Sequence, residues 1–119
     1  MKAIWNNTVV AEADKDELIY IEGHWYFPPS SLKVPVKSDD EPRGSQGPDK
    51  IESAHFRKSP TPYTCPWKGV CQYYDICAGE MCSHDTAWTY PEPKPSAIDI
   101  VKKDFSNYVA FWREVQISE

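Results

Sequence analysis

Short runs of β-forming residues, each closed by turn residues, recur from one end of the chain to the other. Ala3-Ile4-Trp5 and Thr8-Val9-Val10-Ala11 flank Asn6-Asn7, and asparagine tolerates the positive φ of a two-residue hairpin turn. Asp14-Lys15-Asp16 reads as the next turn. Glu17-Leu18-Ile19-Tyr20-Ile21-Glu22 is a strand of strong β-formers. Gly23 interrupts it at a bulge or tight bend, and His24-Trp25-Tyr26-Phe27 resumes it until Pro28-Pro29, which cannot donate to a ladder.

From about residue 33 to 53 large apolar side chains nearly vanish after Val36. Such a stretch buries too little surface to offset its ordering entropy and reads as an exposed, flexible loop. Ala54-His55-Phe56-Arg57 restores a short strand. Trp67 to Ile76 reads as the longest extended segment, broken at Gly69. Residues 77–82 form a hairpin tip, and Ala87-Trp88-Thr89-Tyr90 returns until Pro91, Pro93 and Pro95 enforce an extended ribbon. A short helix then starts at Ser96, its cap, with Ile98, Val101 and Phe105 as its apolar stripe. Tyr108 to Trp112 closes the chain as a strand. The pattern predicts a mainly β single domain over residues 1–119. It has about seven short, mostly antiparallel strands, as a bent sheet or partial barrel, with one short C-terminal helix.

Composition narrows the function classes. The chain has 119 residues, 40% hydrophobic and 13% aromatic, which suits one globular core and not global disorder. A net charge of -5 argues against nucleic-acid backbone binding, which needs a clustered basic excess. No apolar run approaches a membrane span of about 18 residues, and no apolar signal core follows Met1-Lys2-Ala3-Ile4-Trp5. The expectation is a cytoplasmic protein without membrane or nucleic-acid partners, with reduced thiols.

All four cysteines lie between residues 62 and 95, with two of the five tryptophans and four of the seven tyrosines. The cysteine gaps of five, five and four residues do not match the knuckle that lets one turn hold two thiolates. On one continuous strand Cys71 and Cys77 would stand about 20 Å apart at roughly 3.3 Å per residue, too far to share a metal. No metal or cofactor is expected. Cys77 and Cys82 could face each other across the hairpin, although a reducing compartment favours free thiols. Cys65 is a candidate nucleophile if Lys68 turns towards it, against the ordinary reading of a small buried residue.

The aromatic density points to a pocket. Trp67, Lys68, Tyr73, Trp88, Tyr90 and Glu92 are the candidate ligand-binding set. A lysine beside exposed rings holds an anionic or planar ligand by charge and stacking, and Glu92, fixed between two prolines, accepts a hydrogen bond or serves as an acid or base. The plainer alternative makes the tryptophans core and leaves Lys68 and Glu92 as a surface pair.

Several of these residues form a recognisable pattern. Thr64-Cys65-Pro66-Trp67-Lys68-Gly69, Tyr73-Tyr74 and Ala87-Trp88-Thr89-Tyr90-Pro91-Glu92-Pro93-Lys94 appear in order. Lys2-Ala3-Ile4-Trp5-Asn6 and Tyr26-Phe27-Pro28-Pro29 precede them, and Val109-Ala110-Phe111-Trp112 follows. The set resembles the DUF427 family, a domain of unknown function sometimes labelled nucleotidyltransferase-like. The resemblance implies a small β-rich domain over nearly the whole chain and an insertion at about 33–53. The residues offer little for nucleotidyl transfer: the Asp14-Lys15-Asp16 carboxylates sit in a turn, and no glycine-rich phosphate loop occurs. Three readings follow: a binding module for a small anionic or planar ligand, an enzyme using Cys65 or Glu92 in the same cleft, or an interaction protein docking through the acidic loop from Lys37 to Lys50 or through exposed rings.

Overall fold

A computed structural model of the chain describes residues 1–37, 54–78 and 81–119. Residues 38–53, most of the expected insertion and interaction loop, lie outside them. The architecture is mainly β, with three sheets, one short helix and no closed barrel among the described residues; of the two shapes expected, the bent sheet fits.

The N-terminal hairpin forms as its pattern predicts. Strands β1 (Lys2–Trp5) and β2 (Thr8–Glu12) meet at Asn6-Asn7, whose φ values of 49° and 60° suit this turn. The last strand, β10 (Gln116–Ser118), pairs along the other edge of β1 and ties the two chain ends together.

At Gly23 the outcome differs from a bulge in one strand. Glu22 and Gly23 take φ 52° and 86° and reverse the chain completely, so β3 (Ile19–Ile21) and β4 (His24–Tyr26) form a separate two-stranded hairpin. The hairpin presents Glu22 at its tip and His24 just behind it.

The third sheet is the scaffold, in the order β5-β6-β7-β8-β9. Strand β5 (Val36–Lys37) runs parallel to β6, so the stretch read as loop is already strand at its start. The longest strand is β6 (His55–Cys65), where only its first residues were expected to be extended. Pro60 and Pro62 hide it in the sequence. A register shift between Lys58 and Pro62 absorbs them, as bulges do for residues that cannot donate to a ladder. Residues Pro66 to Lys68 form a turn, and β7 (Gly69–Ala78) starts only at Gly69, which takes φ 118°. Trp67 and Lys68 are therefore turn residues rather than strand residues. Strand β8 (Met81–Thr89) begins at the hairpin tip, earlier than its aromatic half suggests. Strand β9 (Val109–Phe111) completes the sheet.

Helix α1 (Pro95–Val101) starts one residue before the expected cap, with Pro95 in its first turn and Lys94, not Ser96, at the cap position. Phe105 lies beyond the helix yet is fully buried. Side-chain alternation on β7 divides the apolar residues into two clusters. Ile76 packs with Trp5, Val10, Phe27, Phe56 and Phe111. Cys71, on the opposite face, packs with Tyr26, Trp88, Tyr90 and Phe105.

Candidate functional site

The second cluster does not close completely, and an open cleft of about 490 Å³ remains beside it. Strand β7 supplies its back wall through Cys71 and Tyr73, which share a face because they are two residues apart. Tyr73 pairs with Trp88 of β8, their rings 6.4 Å apart, and Trp88 pairs with Ala110 of β9. Trp112 falls two residues beyond Ala110 and reaches Trp88 with ring centroids at 5.9 Å. From the other side β4 lays His24 edge-on against Trp88 at 4.9 Å. The indole N–H of Trp88 donates to the Tyr26 hydroxyl at 3.0 Å, which fixes the ring's direction. Trp88 is thus the centre of the aromatic wall, with Trp112 and Tyr63 42% and 46% exposed.

Lys68 closes one end. Its side chain is buried, and its ammonium lies 2.6 Å from the Glu22 carboxylate and 5.0 and 5.3 Å from the ring centres of Tyr90 and Trp67. Burial works to lower its pKa, but the Glu22 hydrogen bond outweighs that effect, helped by the Glu22 charge and by Tyr26 and Cys65 where they ionise, and the net direction is upward. Burial raises Tyr90 strongly and Tyr26 less, so both phenols stay protonated at neutral pH. Burial likewise pushes the Cys71 thiol from 9.0 up to about 11, against the lowering effects of Tyr90 and Lys68.

Asp85 closes the other end, through two bulges. The extra residues of β6, Ser59 to Thr61, and of β8, His84 to Thr86, flank Tyr73 to Asp75 of β7. Buried Asp75 accepts the Asp85 backbone N–H at 2.9 Å and lies 3.3 Å from Arg57 and 3.2 Å from His84. Asp85 takes φ 54°, tolerable for aspartate, and its carboxylate accepts the hydroxyls of Ser59 at 2.5 Å and Thr61 at 3.0 Å. The backbone irregularities therefore aim one carboxylate into the cleft.

Of the sequence-derived set, Lys68, Tyr73, Trp88 and Tyr90 line one cleft. Trp67 stands on the far side of Lys68 and lines a separate open depression with Tyr20 and Ile100. Glu92 is exposed and outside the cleft; only its carbonyl is structural, packed where a Cβ on Gly69 would lie 3.3 Å away. Cys65 is buried, beside Tyr90, and does not line the cleft. Sequence reasoning missed Glu22, His24, Thr61, Tyr63, Cys71, Asp85 and Trp112. Glu22 and Trp112 had signals, the Glu22-Gly23 turn pair and an aromatic ending the closing strand expected over Tyr108 to Trp112. Asp85 had none.

The cysteines correct the expectation of free thiols. Cys77 and Cys82 are cross-strand partners, with Cα atoms 4.1 Å apart, and form a disulfide, while Cys65 and Cys71 stay free and buried. No cluster of three or more His, Cys, Asp or Glu side chains suited to a metal occurs among the described residues. No helix among them is long and apolar enough to cross a membrane.

The profile of a domain of unknown function, DUF427, matches residues 1–118. The chain belongs to the DUF427 family. No curated protein matches it. The residues that carried the DUF427 resemblance divide in the structure. Lys68, Tyr73, Trp88, Tyr90 and Trp112 line the cleft, whereas Lys2 to Asn6 and Phe27 lie outside it, in or beside the first apolar cluster.

Proposed function

We propose that this domain binds a small planar ligand in the cleft between the β3–β4 hairpin and the β7–β8 face. One observation carries the reading: Trp88 stands in an open cleft with Tyr73, His24 and Trp112 around it. Rings held by cross-strand pairing are preorganised, so stacking a ligand costs little further ordering. Of the two ligand features expected from the sequence, planarity has the stronger support. The Lys68 charge is shared with Glu22 at 2.6 Å, which leaves less of it for an anion. Cys65, buried, and Glu92, outside the cleft, give the enzymatic alternative no common site. We place this binding in the cytoplasm on the composition of the chain. The Cys77–Cys82 bond, which a reducing compartment disfavours, weighs against that placement, and the buried Cys65 and Cys71 do not bear on it.

A panel of planar metabolites and nucleotides, read by thermal shift and by tryptophan fluorescence, tests the reading. Binders should raise the melting temperature and change the emission, and Trp112→Ala should weaken them several-fold while costing little stability, because that ring is half exposed. No response from any planar compound at millimolar excess would overturn the proposal.

A further inference from the structure

The two ends of the cleft differ in charge compensation, and this difference specifies the ligand further, on the reading just given. At the Lys68 end the ammonium is matched by Glu22 and by two rings. At the other end Asp85 meets only neutral donors, the hydroxyls of Ser59 and Thr61, and no cation pairs with it among the described residues. A carboxylate offers about four acceptor positions, so each Asp85 oxygen keeps one after these bonds. Tyr73, next along the wall, has its pKa raised mainly by burial, with Asp85 a lesser contribution that Lys68 opposes. With Lys68 and Glu22 cancelling, the ionised lining carries one net negative charge when His24 is neutral.

Aromatic faces carry negative quadrupole charge, so the rings and the unmatched carboxylate favour the same sign of ligand. An anion entering here would meet Asp85 and a lysine already paired. We infer that the cleft takes a small planar organic cation, such as an amidinium, a guanidinium or a protonated aminoheterocycle. Its N–H groups meet the free acceptor positions of Asp85, where a planar fork matches a carboxylate. Its flat body occupies the aromatic wall beside Tyr73 and Trp88. The Lys68–Glu22 pair bounds the site and sets its length.

Three compounds of nearly one shape separate charge from planarity: benzamidine, benzamide and benzoate, titrated calorimetrically into the full chain at low ionic strength. Benzamidine should bind at least about tenfold more tightly than either, a gap reasonable for one charge-assisted fork over rings. Asp85→Asn suits the positive φ at that position and should reduce the preference over benzamide to about twofold or less, with near-UV circular dichroism confirming an intact fold. Should that variant not fold, wild-type protein in about 0.5 M salt serves, since screening should narrow the preference for the cation. Equal binding of all three compounds, or a benzamidine preference untouched by Asp85→Asn or by salt, overturns the cation inference and leaves the planar cleft standing. No binding by any of them removes the cation inference, and the broader panel then decides whether the planar reading survives.

Discussion

Lys68 and Glu22 meet at 2.6 Å although they belong to different sheets' turns, one in the β6–β7 turn and the other at the tip of the β3–β4 hairpin. Their contact holds the hairpin over the large sheet and forms one end of the cleft. Only Lys68 is buried, so the two partners are not equivalent. Glu22→Gln leaves a buried ammonium without its counter-charge and should cost about 1 kcal/mol, discounted because Glu22 is half exposed. Lys68→Met removes the buried charge and keeps the apolar stem, and should stay within about 1 kcal/mol of wild type. Urea denaturation of both variants checks the order; a Lys68→Met loss several times that of Glu22→Gln would contradict it.

Stability should fall in alkali, starting with Cys71. Its thiol is raised from 9.0 to about 11 by burial, so between those values the unfolded chain loses a proton that the folded chain keeps. The folded state therefore loses stability as pH rises from 9, by up to about 2–3 kcal/mol at two pH units. Tyr26 and Tyr90, also raised, extend the loss above pH 10. The raised Lys68 acts in the same sense: its contribution is complete below about 10.5 and disappears as the folded ammonium deprotonates. Melting curves from pH 7 to 11 should show the decline, and Cys71→Ala should flatten its first part. A flat profile to pH 10.5 in wild type would refute the assignment.

The Cys77–Cys82 bond closes a short loop, with a sequence separation of 5. Chain-entropy reasoning assigns a loop of this size about 2 kcal/mol. Reductant or the Cys77→Ser/Cys82→Ser double variant should lower stability by no more than roughly that amount and leave the cleft intact, since neither residue lines it. Thiol titration of the denatured, unreduced chain should count two thiols, Cys65 and Cys71. A count of four would disprove the bond.

Thr89 is buried on β8, and its hydroxyl has no hydrogen-bond partner among the described residues. An unsatisfied buried hydroxyl costs about 1–3 kcal/mol, so the nearly isosteric Thr89→Val should be neutral or stabilising by about 1 kcal/mol. A loss above 1 kcal/mol would mean that a bound water satisfies the hydroxyl.

Gly69 has φ 118°, and an added Cβ would lie 3.3 Å from the Glu92 carbonyl oxygen. Gly69→Ala should cost about 1–3 kcal/mol from backbone strain alone, and more if the Lys94 N–H to Lys68 carbonyl bond at 2.9 Å breaks. Wild-type stability in that variant would show that the turn has another conformation available.

Local chemistry made much of the fold legible in the sequence. Asn6-Asn7 marks a hairpin because its side chains tolerate positive φ, and Gly23 marks a break in the strand for the same reason, although not the full reversal of the chain there. The density of rings around Lys68 named four members of the cleft, Lys68, Tyr73, Trp88 and Tyr90, and alternation along β7 separates Cys71 and Tyr73 from Tyr74 and Ile76. These signals act within a few residues, where steric limits on the backbone are decisive.

Pairing between distant strands decided the rest. Two prolines conceal β6 because the residues opposite them, on β7, accommodate the bulge. Asp85 looks like any exposed loop aspartate until Asp75, Ser59 and Thr61 hold it in place. Glu92 appears well placed between its prolines, yet the packing of Gly69 against its carbonyl leaves its side chain in solvent. The sequence by itself therefore determined the β class, most turns and the aromatic half of the cleft. The tertiary structure alone decided which carboxylates enter that cleft, because charge pairing depends on distances across the sheet that no local pattern encodes.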